Sequence, residues 1–199
     1  MIPDCSALAV PTDLPVMVLS DCWLLPGCFL PLFIFEQRYR DMLEVALGSH
    51  RMFGIGTRIG DEVEPAMTAG VIHECYQHGD GTSHLVLLGA QRVRVQSWQQ
   101  QTSYPLAKVE RIERDPISIS TLEALREEAI QRLPAADADF APQQELMIKA
   151  LRAAKDPELA CDVLTYHFVR CGTLVPQSMR MTCAVQRFEL LITALKAKS

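Results

Sequence analysis

LLPGCFLPLFIFEQRYRDM, residues 24–42, begins as one of the most apolar stretches of the chain and turns abruptly charged at Glu36. Its uncharged run from Cys22 to Phe35 is 14 residues long, short of the roughly 20 that a membrane-spanning helix needs. Pro26-Gly27 marks a turn, CFLPLFIF reads as a strand, and Pro31 pushes that strand toward a sheet edge. From Glu36 onward the period changes. Tyr39, Met42, Leu43, Ala46 and Leu47 recur at helical spacing, Glu36/Arg40 and Arg40/Glu44 sit four apart, and Gly48 is placed to end the helix. The stretch therefore reads as strand, break and amphipathic helix.

Outward from it, the first half of the chain consists of short strands separated by turn signals. LPVMVL (14–19) precedes the opening stretch, and RMFGIGTRI (51–59) and MTAGVIHECYQ (67–77) follow it. The Gly79–Gly81 turn leads to HLVLLGAQRVRVQSW (84–98), and YPLAKVERIE (104–113) completes the set. Near Asp115-Pro116 the period becomes helical and stays so. A capping box at Ser120 and Glu123 opens the first of these helices. QQELMIKALRAA forms a second after the 133–142 loop, and DPELACDVLTYHFV a third with Asp156 as its cap and Pro157 at its first position. The last helix runs from Cys183 to Lys196 with Thr182 as cap. The expected organisation is a β-rich part, 1–115, and a helical part, 116–199.

The chain has 199 residues, 49% of them apolar, and a net charge of −5. Nine of the Lys and Arg and fourteen of the Asp and Glu precede residue 116, against ten and ten after it. The β-rich part thus lacks the basic footprint of a phosphate-backbone binder, which argues against nucleic acid, including RNA. Seven scattered cysteines without a CxxC pair read as reduced thiols of a cytoplasmic protein. No secretory signal is recognisable, because the N-terminus is acidic and Pro15, Pro26 and Pro31 break the apolar runs.

Familiar catalytic signatures are missing: no phosphate loop, no GxSxG elbow, no HExxH helix. Gly54, Gly56 and Gly60 imitate a dinucleotide loop, but DEVEPAM follows where a helix N-terminus would have to be, so these glycines read as relief of crowding in a strand. His73, Cys75, His78 and His84 lie within twelve residues. His73 and Cys75 would share one strand face, and the hairpin would bring His84 to His78, which makes the four candidate zinc ligands or part of a small metal- or thiol-dependent enzyme; the other reading is a hairpin with polar tips. Cys161, Cys171, Cys183 and His167 read as packing or surface residues of the helices.

Leu25-Pro26-Gly27, Leu30-Pro31-Leu32, Ile34-Phe35-Glu36, Arg38-Tyr39 and Met42, followed by RMFGIG, resemble the N-terminal substrate-binding domain of the Lon protease family. AGVIHE, the DGT turn at 80–82, LVLLGAQRVRV and YPLAKVERIE extend the likeness through the later strands; DPELACDVL and CAVQRFELLITAL carry it into the helical tail, while PQSMRMT departs from it. The resemblance implies an α+β chain: a PUA-like β pseudo-barrel with one helix, then a helical bundle. It further implies a non-catalytic, cofactor-free module that binds unfolded or extended polypeptide, as an adaptor or regulator beside a separate protease. No ATPase or serine-lysine peptidase segment fits within this length, so a stand-alone domain is expected. Contacts are expected at the rim of the β part, among Phe29, Phe33, Tyr39, Phe53 and Trp98.

Overall fold

The computed structural model describes residues 5, 7–99, 103–169 and 173–197. Within them the chain divides at Ile112/Glu113 into two compact units, a β-rich one and a helical one. The β-rich unit contains β1 (Asp13–Ser20), β2 (Phe29–Ile34), α1 (Gln37–Leu47), β3 (Met52–Ile59), β4 (Glu62–Val63), β5 (Ala66–Gln77), β6 (Ser83–Gln99) and β7 (Leu106–Arg111). The two-residue β4, in the acidic DEVEPAM segment, pairs with the end of β3.

Strand order β1-β7-β6-β5-β3 closes on itself, because β1 and β3 pair in parallel from Val16/Gly54 to Ser20/Arg58. This is the expected pseudo-barrel. Parallel strands cannot be joined by a tight turn, and the link between β1 and β3 is the opening stretch itself, β2 plus α1. Side-chain alternation along β1 serves two cores. Leu14 and Val16 pack with Met67, Ala90, Val93 and Ala107, whereas Met17 packs under α1 with Tyr39, Met42, Phe53 and Leu87. Gly54 and Gly56 in β3 are flanked by Leu14, Val16 and Met67, which a Cβ would crowd, and β3 continues as strand where a phosphate-binding helix would have to begin.

Helix α1 ends at Leu47, yet Gly48 keeps an ordinary right-handed conformation. The left-handed residue is Arg51 (φ 54°), whose amide donates to the Ala46 carbonyl, 2.8 Å. Tyr39 holds the helix to the barrel: its hydroxyl donates to Val18 O (3.1 Å) and accepts from Val18 N (3.2 Å). Replacing Tyr39 by phenylalanine orphans both backbone groups, so we expect a loss of about 1–3 kcal/mol in urea unfolding. A change below about 0.5 kcal/mol would show that water replaces the hydroxyl.

Strands β5 and β6 are long, and two register shifts in their ladder, at Ala69/Gly70 and Ile72/Glu74, bend them. Below the bend they belong to the barrel. Above it, Ser83–Leu88 of β6 lies between β2 and the end of β5, forming a three-stranded sheet.

The helical unit contains α2 (Ile119–Gln131), α3 (Ala141–Ala153), α4 (Glu158–Phe168), α5 (Leu174–Arg180) and α6 (Ala184–Lys196). Helix α2 starts earlier than the Ser120/Glu123 box implies: Ser118 caps it, its hydroxyl accepting from Thr121 N at 3.2 Å. Asp156 does accept from the first turn of α4, at Glu158 N (2.9 Å). Thr182 does not cap α6; its hydroxyl turns to Asp115 instead, 3.2 Å. Helix α5, short and not among the helices expected from the sequence, holds Pro176 in its first turn, where proline is tolerated. At the centre of the unit Arg187, fully buried, is clamped by Glu158 and Asp162, with Arg114 reaching Asp156 (2.5 Å) and Glu158 (3.3 Å). Burial by itself would disfavour the Arg187 charge; the carboxylates of Asp162 and Glu158 outweigh it and hold the guanidinium protonated above its ordinary range. No described helix is long and apolar enough to cross a membrane.

Candidate functional site

The outer face of the three-stranded sheet is built by register. Residues directly opposite each other on neighbouring strands share a face, and two rows cross all three strands: Pro31–Val86–Glu74 and Phe33–His84–Tyr76. The inner rows, Leu32–Leu85–Cys75 and Leu30–Leu87–Ile72, face the core. The outer rows carry aromatic side chains in water, with Phe33 48% and Tyr76 68% exposed, and Phe29 and Phe35 exposed beside them. Their rings are arranged as a connected array. Phe33 lies 5.9 Å from Phe35 and 4.6 Å from the His84 ring; His84 meets His78 at 5.0 Å, and His78 meets Tyr76 at 4.8 Å. A groove of about 520 Å³ runs over this face. Exposed apolar patches of this kind mark interaction surfaces.

The hairpin that supplies half of the array is pinned at its tip. Asp80 accepts from Thr82 N (2.9 Å) and from the Thr82 hydroxyl (2.7 Å), which hold its carboxyl below the usual range. Gly81 adopts φ +82°, and a Cβ there would collide with the Arg40 guanidinium, which donates to Asp80 O at 3.3 Å. Helix α1 thereby steadies the turn that carries His78 and His84.

The residues expected from sequence are distributed as follows. Phe29 and Phe33 stand on the exposed face. Trp98 is half-exposed near the opposite end of β6. Tyr39 (2% exposed) and Phe53 (fully buried) belong to the core beneath α1 and are out of reach of a surface ligand; Tyr39 is on the apolar stripe of its helix, and Phe53 is in a strand covered on both faces. The His/Cys group does not converge either. A bulge at His73 shifts the phase of β5, so Cys75 turns inward against the core while His73 stays outside with its ring 5.3 Å from Phe29. His78 Nε2 and His84 Nδ1 do meet, hydrogen-bonded at 2.7 Å. Among the described residues no three His, Cys, Asp or Glu side chains gather as metal ligands. Burial pushes the thiols of Cys22 and Cys75 up, against only a smaller pull from Arg51 on Cys75, the opposite of what a thiolate nucleophile requires. In the helical unit Cys161 is buried and His167 exposed, while Cys171 lies outside the described residues.

Sequence reasoning missed Pro31, Phe35, Glu74, Tyr76 and Val86 as members of one face. The alternation Phe29, Pro31, Phe33 was a usable signal for β2; the bulge conceals the equivalent signal in β5.

The fold is that of Lon N-terminal domains. The N-terminal domain of a Mycobacterium avium complex Lon protease superposes with a TM-score of 0.72 at 18% identity, covering 92% of this chain and 98% of that one. A Lon N-terminal domain protein from Xanthomonas campestris gives 0.65 at 20% identity over 92% and 98% of the two chains. Residues 13–170 match the family model of the ATP-dependent protease La (LON) substrate-binding domain, and the chain belongs to that family. A Lon protease of Dictyoglomus thermophilum is 25% identical over 160 residues, covering 76% of this chain and 20% of the relative, so the chain spans about a fifth of that protein's length.

Proposed function

We propose that this chain is a non-catalytic polypeptide-recognition module, acting in the cytoplasm on unfolded or extended segments as an adaptor or regulator for a separate protease. The observation that carries the reading is the aromatic array of Phe33, Phe35, His84, His78 and Tyr76 on the open face of β2, β6 and β5. Family membership in a substrate-binding domain supports it. Aromatic rings offer large apolar contact to many sequences at little conformational cost, which suits a module that must accept varied unfolded chains. The small-enzyme reading has lost its support, since the His/Cys group is divided between two sides of the sheet and the two thiols are raised.

A test uses fluorescent, reduced and carboxymethylated lactalbumin as an unfolded client. Changing Phe33 and Tyr76 together to serine removes two exposed rings, each worth about 1–2 kcal/mol when covered, so binding should weaken at least tenfold. Trp98→Ser is the comparison and should leave affinity unchanged. Loss of binding only with the Trp98 change would move the site to the other end of β6, and no binding by the unaltered chain would remove the function.

A further inference from the structure

Within that polypeptide-binding reading, on which this inference rests, the geometry points to a specific mode and selectivity: an extended segment adds as a new strand to the free edge of β5 at Cys75–Gln77, with a lysine or arginine placed beside Glu74. Three observations converge on this corner of the sheet.

The first is an open edge. Beyond Ile72, whose amide donates to Arg51 O (2.8 Å), β5 has β6 on one side and no strand on the other among the described residues. In an antiparallel ladder alternate residues direct their amide and carbonyl toward the partner. The bond from His78 N to Thr82 O (2.8 Å) sets the phase at the hairpin. Tyr76 and Glu74 therefore bond to β6, while the amides and carbonyls of Cys75 and Gln77 point away from it. Those outward groups meet no backbone partner among the described residues, and an unpaired row of this kind is what β-strand addition uses.

The second concerns the other edge of the same sheet, which is blunted. By the same phase, Val86 bonds toward β5, so its opposite number Pro31 directs its backbone outward from β2. Proline has no amide to donate, and the middle of that edge cannot accept a new strand. Of the two edges bordering the aromatic face, only that of β5 is intact.

The third is charge. Glu74 is the one formally charged side chain among the described residues lining the groove, and no hydrogen bond or ion pair engages it. Tyr76 stands two residues further along the same face, about 7 Å away at strand spacing, with the rest of the rings behind it. A strand added along this edge places one side chain next to Glu74 and the next outward one beside Tyr76. A cation at the first position meets the carboxylate, and an apolar residue at the second completes the array. A glutamate at the first position would meet like charge.

The test compares three fluorescent synthetic peptides of repeat X-Thr-Phe-Thr, with X lysine, glutamine or glutamate so that X and phenylalanine alternate along one strand face, against the full chain and its Glu74→Gln and Glu74→Lys variants. The unaltered chain should bind the lysine peptide roughly twofold to fivefold tighter than the glutamate peptide, the range that exposed charge pairs reach. The preference should vanish in Glu74→Gln and reverse in Glu74→Lys, with the glutamine peptide unaffected throughout. A lysine peptide N-methylated at alternate residues, unable to donate along one edge, should bind at least tenfold more weakly. Equal affinity for all three charge types overturns the selectivity, and unchanged affinity of the N-methylated peptide overturns strand addition; both leave the polypeptide-binding reading standing. If no peptide binds while the unfolded lactalbumin does, the edge site is again the part that fails.

Discussion

Arg187→Met is expected to be the most damaging single change in the helical unit, costing about 3–5 kcal/mol. The guanidinium is fully buried and joins α6 to two carboxylates one turn apart on α4, Glu158 and Asp162, themselves almost without solvent contact. A methionine fills much of the volume but leaves those carboxylates where they are. Glu158 keeps Arg114 at 3.3 Å, so Asp162 is the group left without a counter-charge. Urea unfolding followed by hydrogen exchange should show the loss first in the amides of α4 and α6. Adding Asp162→Asn and Glu158→Gln to the methionine variant removes the stranded charge and should restore at least half of the stability. A shift below about 1 kcal/mol in the single variant would mean that the cluster opens to water.

Gly89→Ala should be nearly as costly in the β-rich unit, about 3 kcal/mol, at the upper end of what overpacking produces. Here the chain segment before β2 crosses β6 so closely that a Cβ on Gly89 would overlap the Leu25 carbonyl. The crossing is tied on both sides, Gly89 N donating to Cys28 O and Gly27 N donating to Gly89 O, each at 2.9 Å. A methyl group would lift this segment and, with it, the buried Leu24, Leu25 and Cys28. Because β2 starts at Phe29, the variant should also bind unfolded lactalbumin more weakly than its remaining folded fraction predicts. Gly79→Ala is the matched control: nothing lies within 4 Å of its Cβ position, and its stability should stay within about 0.5 kcal/mol. Equal thermal midpoints for the two alanine variants would refute the close crossing.

Much of the fold was legible in the residues. The strand-to-helix change at Glu36, the long runs of β5 and β6 and the amphipathic helices after residue 115 are local patterns, and local periodicity reports them directly. The shortfalls have physical causes. Ser118 rather than Ser120 caps α2, because several hydroxyls compete at that terminus and the choice depends on where the helix can begin. Tyr39 and Phe53 are as aromatic as Phe33, yet residue type alone does not say which ring faces water. For Tyr39 its place on the stripe with Met42, Leu43 and Ala46 already argued for burial.

By itself, then, the sequence determined the order and kind of the main elements, the division into β-rich and helical parts, and through the motif around Ile34-Phe35-Glu36 the family. Tertiary structure decided the rest. The parallel pairing of β1 with β3 closes the barrel, the bulge at His73 parts Cys75 from its neighbours and turns Glu74 and Tyr76 outward, and Arg187 meets its carboxylates from a distant helix. These features arise between residues far apart in the chain, where partner, register and burial are set together by packing, and no local period of two or 3.6 can carry that information.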